Sequence, residues 1–456
     1  MFKMLSVDFD VCSPATRAKI CLVLALLAVL AYFPSLSLPF ISDDYLQIDL
    51  ARQYGPASGW HALALDALYR CRATSMLLTH WTEEIFGLNP VAFRLSSLFF
   101  HIVNVCLIFA LGRWKVIGWR AAAIAAGFFA VDQAHQEAVM WYAAVHEVLV
   151  FCFAILSVHA WLLWLGSRRE RFYVASTALF IVALLSKESA VAIVPILVVL
   201  AVADGLGWSA VLRRALPFAL MAVVYSALIF STQTTHYHFH DAGTFALSAP
   251  FWRTWLYSEF RLLWFWAFIA AVALTVWRAP GQGRLLVVAS TWAGFTMLPY
   301  SFLTYMPFVP SRHTYLASAG AAFIVAAAFV RLRSLSRTRP WIAAALAVFI
   351  IGQQCSYLWT KKQEQYIQRA AAVEQLVALA RKVKGPLYVQ CFPDGLQVAQ
   401  LAVQLRVGTP VILVPEAPSL SSLQGRPDFV CWKGQVSEIS AAPSRLPAAA
   451  APAKGR

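Results

Sequence analysis

The stretch FYVASTALFIVALLSKESAVAIVPILVVLAVAD runs from Phe172 to Asp204, and apart from Ser186-Lys187-Glu188 near its middle it is almost wholly apolar. Read as one helix, it is a single long tilted span. Read as two, it is a hairpin that turns at Lys187-Glu188. The choice fixes the orientation of everything downstream. Short basic loops hold Arg113, Lys115 and Arg120, then Arg168, Arg169 and Arg171, then Arg213 and Arg214, then Arg278 and Arg284, then Arg331, Arg333, Arg337 and Arg339. Cytoplasmic loops carry the excess of Lys and Arg. A single span would turn the last of these clusters outward, against that trend, so the run is split at Lys187-Glu188. Both halves are then short, and short paired segments commonly line a cavity rather than face lipid.

Working outward, apolar runs long enough to cross a hydrocarbon core of ~30 Å recur along the chain. The predicted spans are 20–38, 91–112, 121–140, 147–166, 172–186, 189–204, 214–231, 256–276, 285–301, 315–331 and 340–358, about eleven in all. The chain is 60% hydrophobic, above the roughly 45–50% of soluble domains. The expected fold class is an α-helical polytopic membrane protein with a small C-terminal α/β appendage. The run Ile20 to Leu38 is too long for a signal peptide and lacks a small-residue cleavage site, so it reads as a retained span. The net charge of +15 sits in the loops placed in the cytoplasm, which points to a membrane surface and not to nucleic acid. The N-terminus is then cytoplasmic and the C-terminus external.

The membrane domain is expected over 1–358 and the extracytoplasmic α/β appendage over 359–440, followed by a low-complexity, disordered tail over 441–456. Lys361 to Lys384 reads as an amphipathic, exposed helix. GPLYVQCF then reads as a strand, DGLQVAQLAVQLRVG as a helix, TPVILVP as a second strand and DFVCWKGQV as a third. Of eight cysteines, Cys21, Cys106 and Cys152 lie in apolar runs as small core residues. Cys391 and Cys431 in the tail are candidates for pairing in an oxidising compartment.

The polar groups collect on the predicted external side. Asp43 and Asp44, in FISDDYLQID, stand where the chain leaves the first span. Ionised acids near hydrocarbon are costly and usually face a polar cavity. Arg70 and Arg72 lie on this side against the charge trend, and arginine suits bidentate phosphate contact. VDQAHQEAVMWYAAVHE brings Asp132, His135, Glu137, His146 and Glu147, with Glu137 and Trp141 on one helical face. His146-Glu147 is no zinc-binding HExxH, because residue 150 is Val. His236, His238 and His240, followed by Asp241, alternate so that an extended segment presents all three imidazoles on one side, without a fixed fourth ligand. Arg312 and His313 mark the return to the membrane at SRHTYLAS. Lys187 and Glu188 pair with each other or with the pocket, since such charges outside a cavity are expensive.

Together these residues suit transfer from a lipid-phosphate leaving group. Asp43 or Asp44 takes a proton from an attacking hydroxyl, while Arg70, Arg72, Lys187 and Arg312 hold the departing phosphate. His135, Glu137, Trp141, Glu188, His313 and Tyr315 position the substrates. Sugar transfer from a polyprenyl-phosphate sugar meets these conditions. No cofactor is expected; a divalent metal is compatible but not indicated, because two adjacent Asp make a poor site.

The chain also resembles the GT-C class of membrane glycosyltransferases, close to the transmembrane-and-tetratricopeptide (TMTC-like) and protein mannosyltransferase groups. FISDDY matches their acidic first-loop motif. IFGLNPVAFRLSSLFFHIVNVCLIFAL matches the stretch leading into the second span, with His101 and Asn104. FFAVDQAHQEAVMW, ALLSKESAVAIVPILVVL and, more loosely, SRHTYLASAG follow in order. The resemblance covers about residues 36 to 330 of the chain. It implies a GT-C-like fold, a catalytic carboxylate in the first external loop, and a polyprenyl-phosphate sugar as donor. Ala73 stands where the family usually has Pro, His313 where Tyr is common, and Ala317 where Pro is usual. The tail does not resemble tetratricopeptide repeats, so the acceptor (protein, lipid or polysaccharide) is not implied. A short chain without tetratricopeptides suggests, by analogy, a bacterial inner membrane with a periplasmic C-terminus. A transporter or flippase of a lipid-linked glycan would use the same pocket without a base, and a non-catalytic scaffold would act through the tail alone.

Overall fold

The computed structural model describes residues 12–231, 246, 248–277, 282–303, 309–335, 341–383, 385–413, 429–432 and 439–441. The His236, His238, His240 and Asp241 stretch and residues 442–456 lie outside the described residues.

The decisive run is a hairpin. One helix spans Glu170–Leu184, a 3-10 turn follows at Glu188–Ala192, and Ile193–Ala203 returns. Lys187, at the bend, meets Glu147 and His313 at one end of the bundle. Asp204, where the hairpin ends, comes under the influence of Arg168 at the other. The first arm is fastened to the helix before it by reciprocal bonds, Ser157 Oγ to the Ser176 carbonyl and Ser176 Oγ to the Ser157 carbonyl, each 2.8 Å. In a bilayer, small hydroxyl residues let helices approach and bond in this way.

Every predicted span contains helix, but the expected count of about eleven full crossings is not what the helices give. Seven among the described residues are long and apolar enough to cross, or eight if one bent pair is a single span. The others are short. Gly118–Val131 ends at Asp132, whose side chain accepts from the Ala134 amide at 2.9 Å and starts a series of short turns. The predicted span 121–140 is therefore half helix and half loop layer. The predicted span 256–276 is two helices, Phe251–Leu262 and Trp266–Val276, bent by 89°. Phe265, at φ +62°, makes the corner.

Tyr142–Ser167 and Ser311–Ser334 are the most buried crossings and form the centre of the bundle. The second packs closely through small residues. A Cβ built on Gly320 would lie 2.5 Å from the Ala289 carbonyl oxygen and 2.7 Å from the Ala293 nitrogen. Gly320→Ala must therefore push two backbones apart. Overpacking of this kind costs about 1–3 kcal/mol, so a lowered thermal transition in detergent is expected for Gly320→Ala, whereas Gly352→Ala, which meets nothing within 4 Å, should leave it in place.

The final crossing does not stop at the predicted boundary of 358. Trp341–Tyr357 passes through a π-helical turn at Leu358–Lys362 into Gln363–Ala380. At 1.5 Å per residue the whole rod is about 60 Å long, roughly twice the hydrocarbon thickness. Its outer half carries the α/β appendage. Strand β1 (Leu387–Cys391) is the hub, with β2 (Val411–Leu413) parallel on one side and β3 (Phe429–Trp432) parallel on the other. A fourth strand, β4 (Ile439–Ala441), not expected from the sequence, pairs antiparallel with β3 and crosses the expected boundary at 440. The register sets Cys391 opposite Cys431. The helix Leu396–Val407 packs Ala399 and Val403 against Leu376, Leu387 and Val389. Val398, Leu401 and Ala402 share a second apolar cluster with Phe40, Tyr45 and Ile48. The appendage is thus docked on the first loop of the membrane domain.

Candidate functional site

The chain leaves its first crossing through a 3-10 turn, Phe33–Ser37, opened by Pro34. Ser42 then takes φ +44°, a left-handed conformation that costs a non-glycine residue on the order of 1–2 kcal/mol. Strain of this kind gathers where surrounding structure fixes a functional geometry. Here the fixing group is Asp44. Its Oδ2 accepts from the Ile41 amide and from Arg94 Nη2, each at 2.9 Å, and its Oδ1 accepts from the Ala143 amide at 2.7 Å. Both members of the Asp44–Arg94 pair are fully buried. Burial raises the Asp44 pKa above its ordinary value, while Arg94 and the two amides pull the other way. Asp43, next in line, is only half-buried and receives a 3.2 Å bond from Ser42 Oγ. The two adjacent acids therefore have different surroundings. Asp44 is saturated and structural, and Asp43 is presented.

Behind this turn runs a row of buried charges. Arg72 Nη1 donates to Glu188 Oε2 at 2.6 Å. Burial disfavours the Arg72 cation, but Glu188 outweighs it and holds the pKa above its ordinary value. Lys187 does not pair with its neighbour Glu188; its ammonium donates to Glu147 and lies 3.0 Å from His313 Nδ1. Burial lowers the Lys187 pKa, with Glu147 and Glu188 opposing. Glu147 also bonds His313 and accepts from Tyr300 OH at 3.1 Å. The Tyr300 ring stacks on His313 and lies under the Lys187 ammonium.

A second group surrounds Trp141. The Trp141 indole donates to the Ile41 carbonyl at 3.3 Å, which ties it to the Asp43 turn. The guanidiniums of Arg312 and Arg369 lie over its ring, at 5.0 and 4.5 Å from the centroid. The same two arginines approach opposite oxygens of Glu137, at 3.8 and 3.7 Å. The Arg312 amide also donates to Glu137 Oε2 at 3.2 Å. Arg261 and Lys362 come within electrostatic reach of Glu137 as well. Cations outnumber acids here.

Pairwise contacts link nine of the expected site residues: Trp141, with Arg312 and Glu137 beside it, bonds the turn that holds Asp43 and Asp44, and His313, next to Arg312, meets Lys187, which precedes the Glu188 that pairs Arg72. Three other expected site residues sit elsewhere. His135 is fully buried, its Nδ1 2.8 Å from Ser318 Oγ, among the rings of His101, Phe129 and Tyr315. Burial, with His101 adding to it, holds the His135 pKa well below its ordinary value. Tyr315 is equally buried, its hydroxyl bonded to His101 Nδ1 at 2.8 Å and Asn104 at 3.1 Å. Both side chains point into the core, His135 from a 3-10 turn and Tyr315 from the start of a helix. Arg70 is buried in a short turn of helix, its Nε donating to the Leu63 carbonyl at 2.9 Å.

Several participants are absent from the expected set. Arg94 carried a signal, since a charge inside a predicted span needs a partner. Glu147 carried the same signal. Arg369 carried none, because it arrives from a segment read as exposed. Among the described residues no three His, Cys, Asp or Glu side chains gather as a metal-ligand set.

Neither a protein-family model nor a curated protein sequence matches the chain. Solved structures do. ArnT from Cupriavidus metallidurans bound to undecaprenyl phosphate matches with a TM-score of 0.53 at 15% identity, over 90% of this chain and 88% of that one. The same protein in the apo state gives 0.55 at 16%, with the same coverage. An oligosaccharyltransferase from Archaeoglobus fulgidus, in complex with zinc and sulfate, gives 0.51 at 12%, over 86% of this chain and 62% of that one. This chain is an integral, multi-pass membrane protein with the GT-C fold that its sequence led one to expect.

Proposed function

We propose that the protein transfers a sugar from a polyprenyl-phosphate donor to an acceptor hydroxyl. The observation that carries this reading is the division of labour in the first loop. Asp43 is a half-exposed carboxylate held in place by the buried Asp44–Arg94 pair. Arg312 lies over the Trp141 ring, and Trp141 bonds the Ile41 carbonyl of the same turn, which supports a cation near the base, as a phosphate cradle requires. That the ArnT neighbour has been seen with undecaprenyl phosphate supports a lipid phosphate as the leaving group.

In this mechanism Asp43 accepts the proton of the acceptor hydroxyl as its oxygen forms a bond to the anomeric carbon. The bond from that carbon to the phosphate oxygen breaks, and the electron pair leaves with the polyprenyl phosphate. Arg72 and Arg312 stabilise the charge that develops there, with Lys187 behind them. One displacement from the face opposite the leaving group inverts the anomeric centre. Glu137, Glu188 and His313 set the positions of the arginines and the lysine, and Trp141 supports Arg312. The basic loops at the opposite end of the bundle support a site facing the periplasm of a bacterial inner membrane.

The test is release of free polyprenyl phosphate by the full-length protein in lipid nanodiscs, supplied with a panel of polyprenyl-phosphate sugars. Turnover of at least one donor is expected. Arg312→Ala should raise the donor KM about ten- to a hundredfold, the scale of a lost hydrogen bond to a charged group. Binding of these lipids with no turnover, indifferent to substitution of Asp43, would favour a transporter instead.

A further inference from the structure

Arg70, Arg72, Arg94 and Arg261 each give a hydrogen bond to a protein oxygen: the Leu63 carbonyl, Glu188, Asp44 and the Val309 carbonyl. The two arginines over Trp141 are different. Arg312 and Arg369 share the carboxylate of Glu137, but at 3.8 and 3.7 Å, beyond hydrogen-bond distance. Among the described residues neither guanidinium bonds a protein acceptor. What gathers them is the indole, 5.0 and 4.5 Å from centroid to guanidinium. A ring face attracts the charge of a guanidinium but offers no oxygen to its five N–H donors. Both side chains are also partly exposed, at 23% and 39%, so their donors are within reach of a ligand.

The two arms come from distant parts of the chain, and a buried relay fixes one against the other. Tyr366 stands one turn before Arg369 on the helix Gln363–Ala380. Its hydroxyl donates to Gln136 Oε1 at 2.8 Å, and Gln136 Nε2 donates to Ser311 Oγ at 2.9 Å. Gln136 precedes Glu137, and Ser311 precedes Arg312. All three relay residues are buried, where an unmade hydrogen bond is costly, so the spacing of the arms is set before any ligand arrives. Trp141 ties the pair to the base. Its indole donates to the carbonyl of Ile41, two residues before Asp43. Preorganisation of this kind lowers the cost of binding and of orienting the reacting group.

We propose that Arg312 and Arg369 form a two-armed phosphate site, one arm from the membrane domain and one from the final helix, that takes the phosphate of the polyprenyl donor. The inference rests on the transferase reading above and adds Arg369 to the residues that bind the donor. Glu137 offsets one of the two positive charges, and a phosphate supplies the counter-charge for the other. The planar forks of two guanidiniums match phosphate oxygens, which a lysine cannot do. The final helix is then part of the donor site and not only a stalk for the appendage.

The experiment uses the full chain in lipid nanodiscs, with binding read by calorimetry against empty nanodiscs. Farnesyl phosphate is the lipid-phosphate probe. Inorganic phosphate carries the anion without the lipid, and farnesol the lipid without the anion. The wild type should bind farnesyl phosphate more tightly than either. Arg369→Ala should weaken that binding about ten- to a hundredfold, the scale of a lost hydrogen bond to a charged group, with farnesol binding and the thermal transition unchanged. Arg369→Lys, which keeps the charge without the fork, should recover part of the loss. Unaltered binding of farnesyl phosphate in Arg369→Ala would overturn the inference and leave the transferase reading standing. So would a loss that comes with a lowered thermal transition and is not relieved by lysine. Inorganic phosphate bound as tightly as farnesyl phosphate would overturn the lipid as the source of the anion. Binding lost in Arg369→Ala, in a protein that turns over no polyprenyl-phosphate sugar, would support the phosphate site and overturn the transferase reading.

Discussion

Asp43→Asn should abolish sugar transfer while leaving the protein folded. General-base catalysis contributes roughly 10²- to 10⁴-fold, and an amide cannot take the proton, so a loss of kcat on that scale is expected. The half-exposed position of Asp43 and its contact with Ser42 predict little change in thermal stability. Asp44→Asn should behave in the opposite way. The Asp44 carboxylate accepts from Arg94, Ile41 and Ala143 and is wholly buried. Neutralising it leaves the Arg94 cation buried without its counter-charge, a change that costs about 3–5 kcal/mol. Its signature is a lowered thermal transition and reduced recovery of folded protein. Turnover measured beside thermal unfolding for both variants separates the roles. Full activity in Asp43→Asn, with activity lost in a well-folded Asp44→Asn, would reverse the assignment of the base.

The second large effect is expected at Glu147. One carboxylate serves Lys187, His313 and Tyr300, all of them buried. Glu147→Ala leaves Lys187 as an uncompensated charge inside the protein, again at about 3–5 kcal/mol. The cost should be largely recovered in the double variant Glu147→Gln with Lys187→Met, because replacing both partners of a buried pair is often neutral in stability. Activity should stay low in that double variant, since the cation behind the phosphate is gone. Thermal transitions of the single and double variants decide the matter. A double variant no more stable than Glu147→Ala would show that Lys187 is not the group left stranded.

The sequence by itself determined a good deal. The alternation of apolar runs and basic loops specified a multi-pass helical protein, because backbone polar groups in lipid must be satisfied within each segment. The basic loops, read with the interruption at Lys187-Glu188, specified a hairpin, because a single span would turn the last basic cluster outward. The acids at Asp43-Asp44 marked a polar turn at the end of the first span, because ionised acids near hydrocarbon are costly. Strand and helix periodicity gave the first elements of the appendage.

Other features were decided only by the tertiary structure. Asp43 and Asp44 are indistinguishable in sequence, and their difference comes from Arg94 and Ala143, fifty and ninety-nine residues further on. His135 and Tyr315 look like site residues from their neighbours, yet the fold turns both into the core. Lys187 stands beside Glu188 but binds Glu147, because the bundle brings that carboxylate to it. The bend at Phe265 and the continuous final rod follow from packing and not from hydropathy, which registers composition and is blind to direction. Arg369 was out of reach altogether, since a residue on an exposed segment joins Glu137 and Trp141 only when the segment docks. The physical reason is common to all of these: burial and pairing free energies depend on contacts between residues distant in the chain, and local pattern carries no term for them.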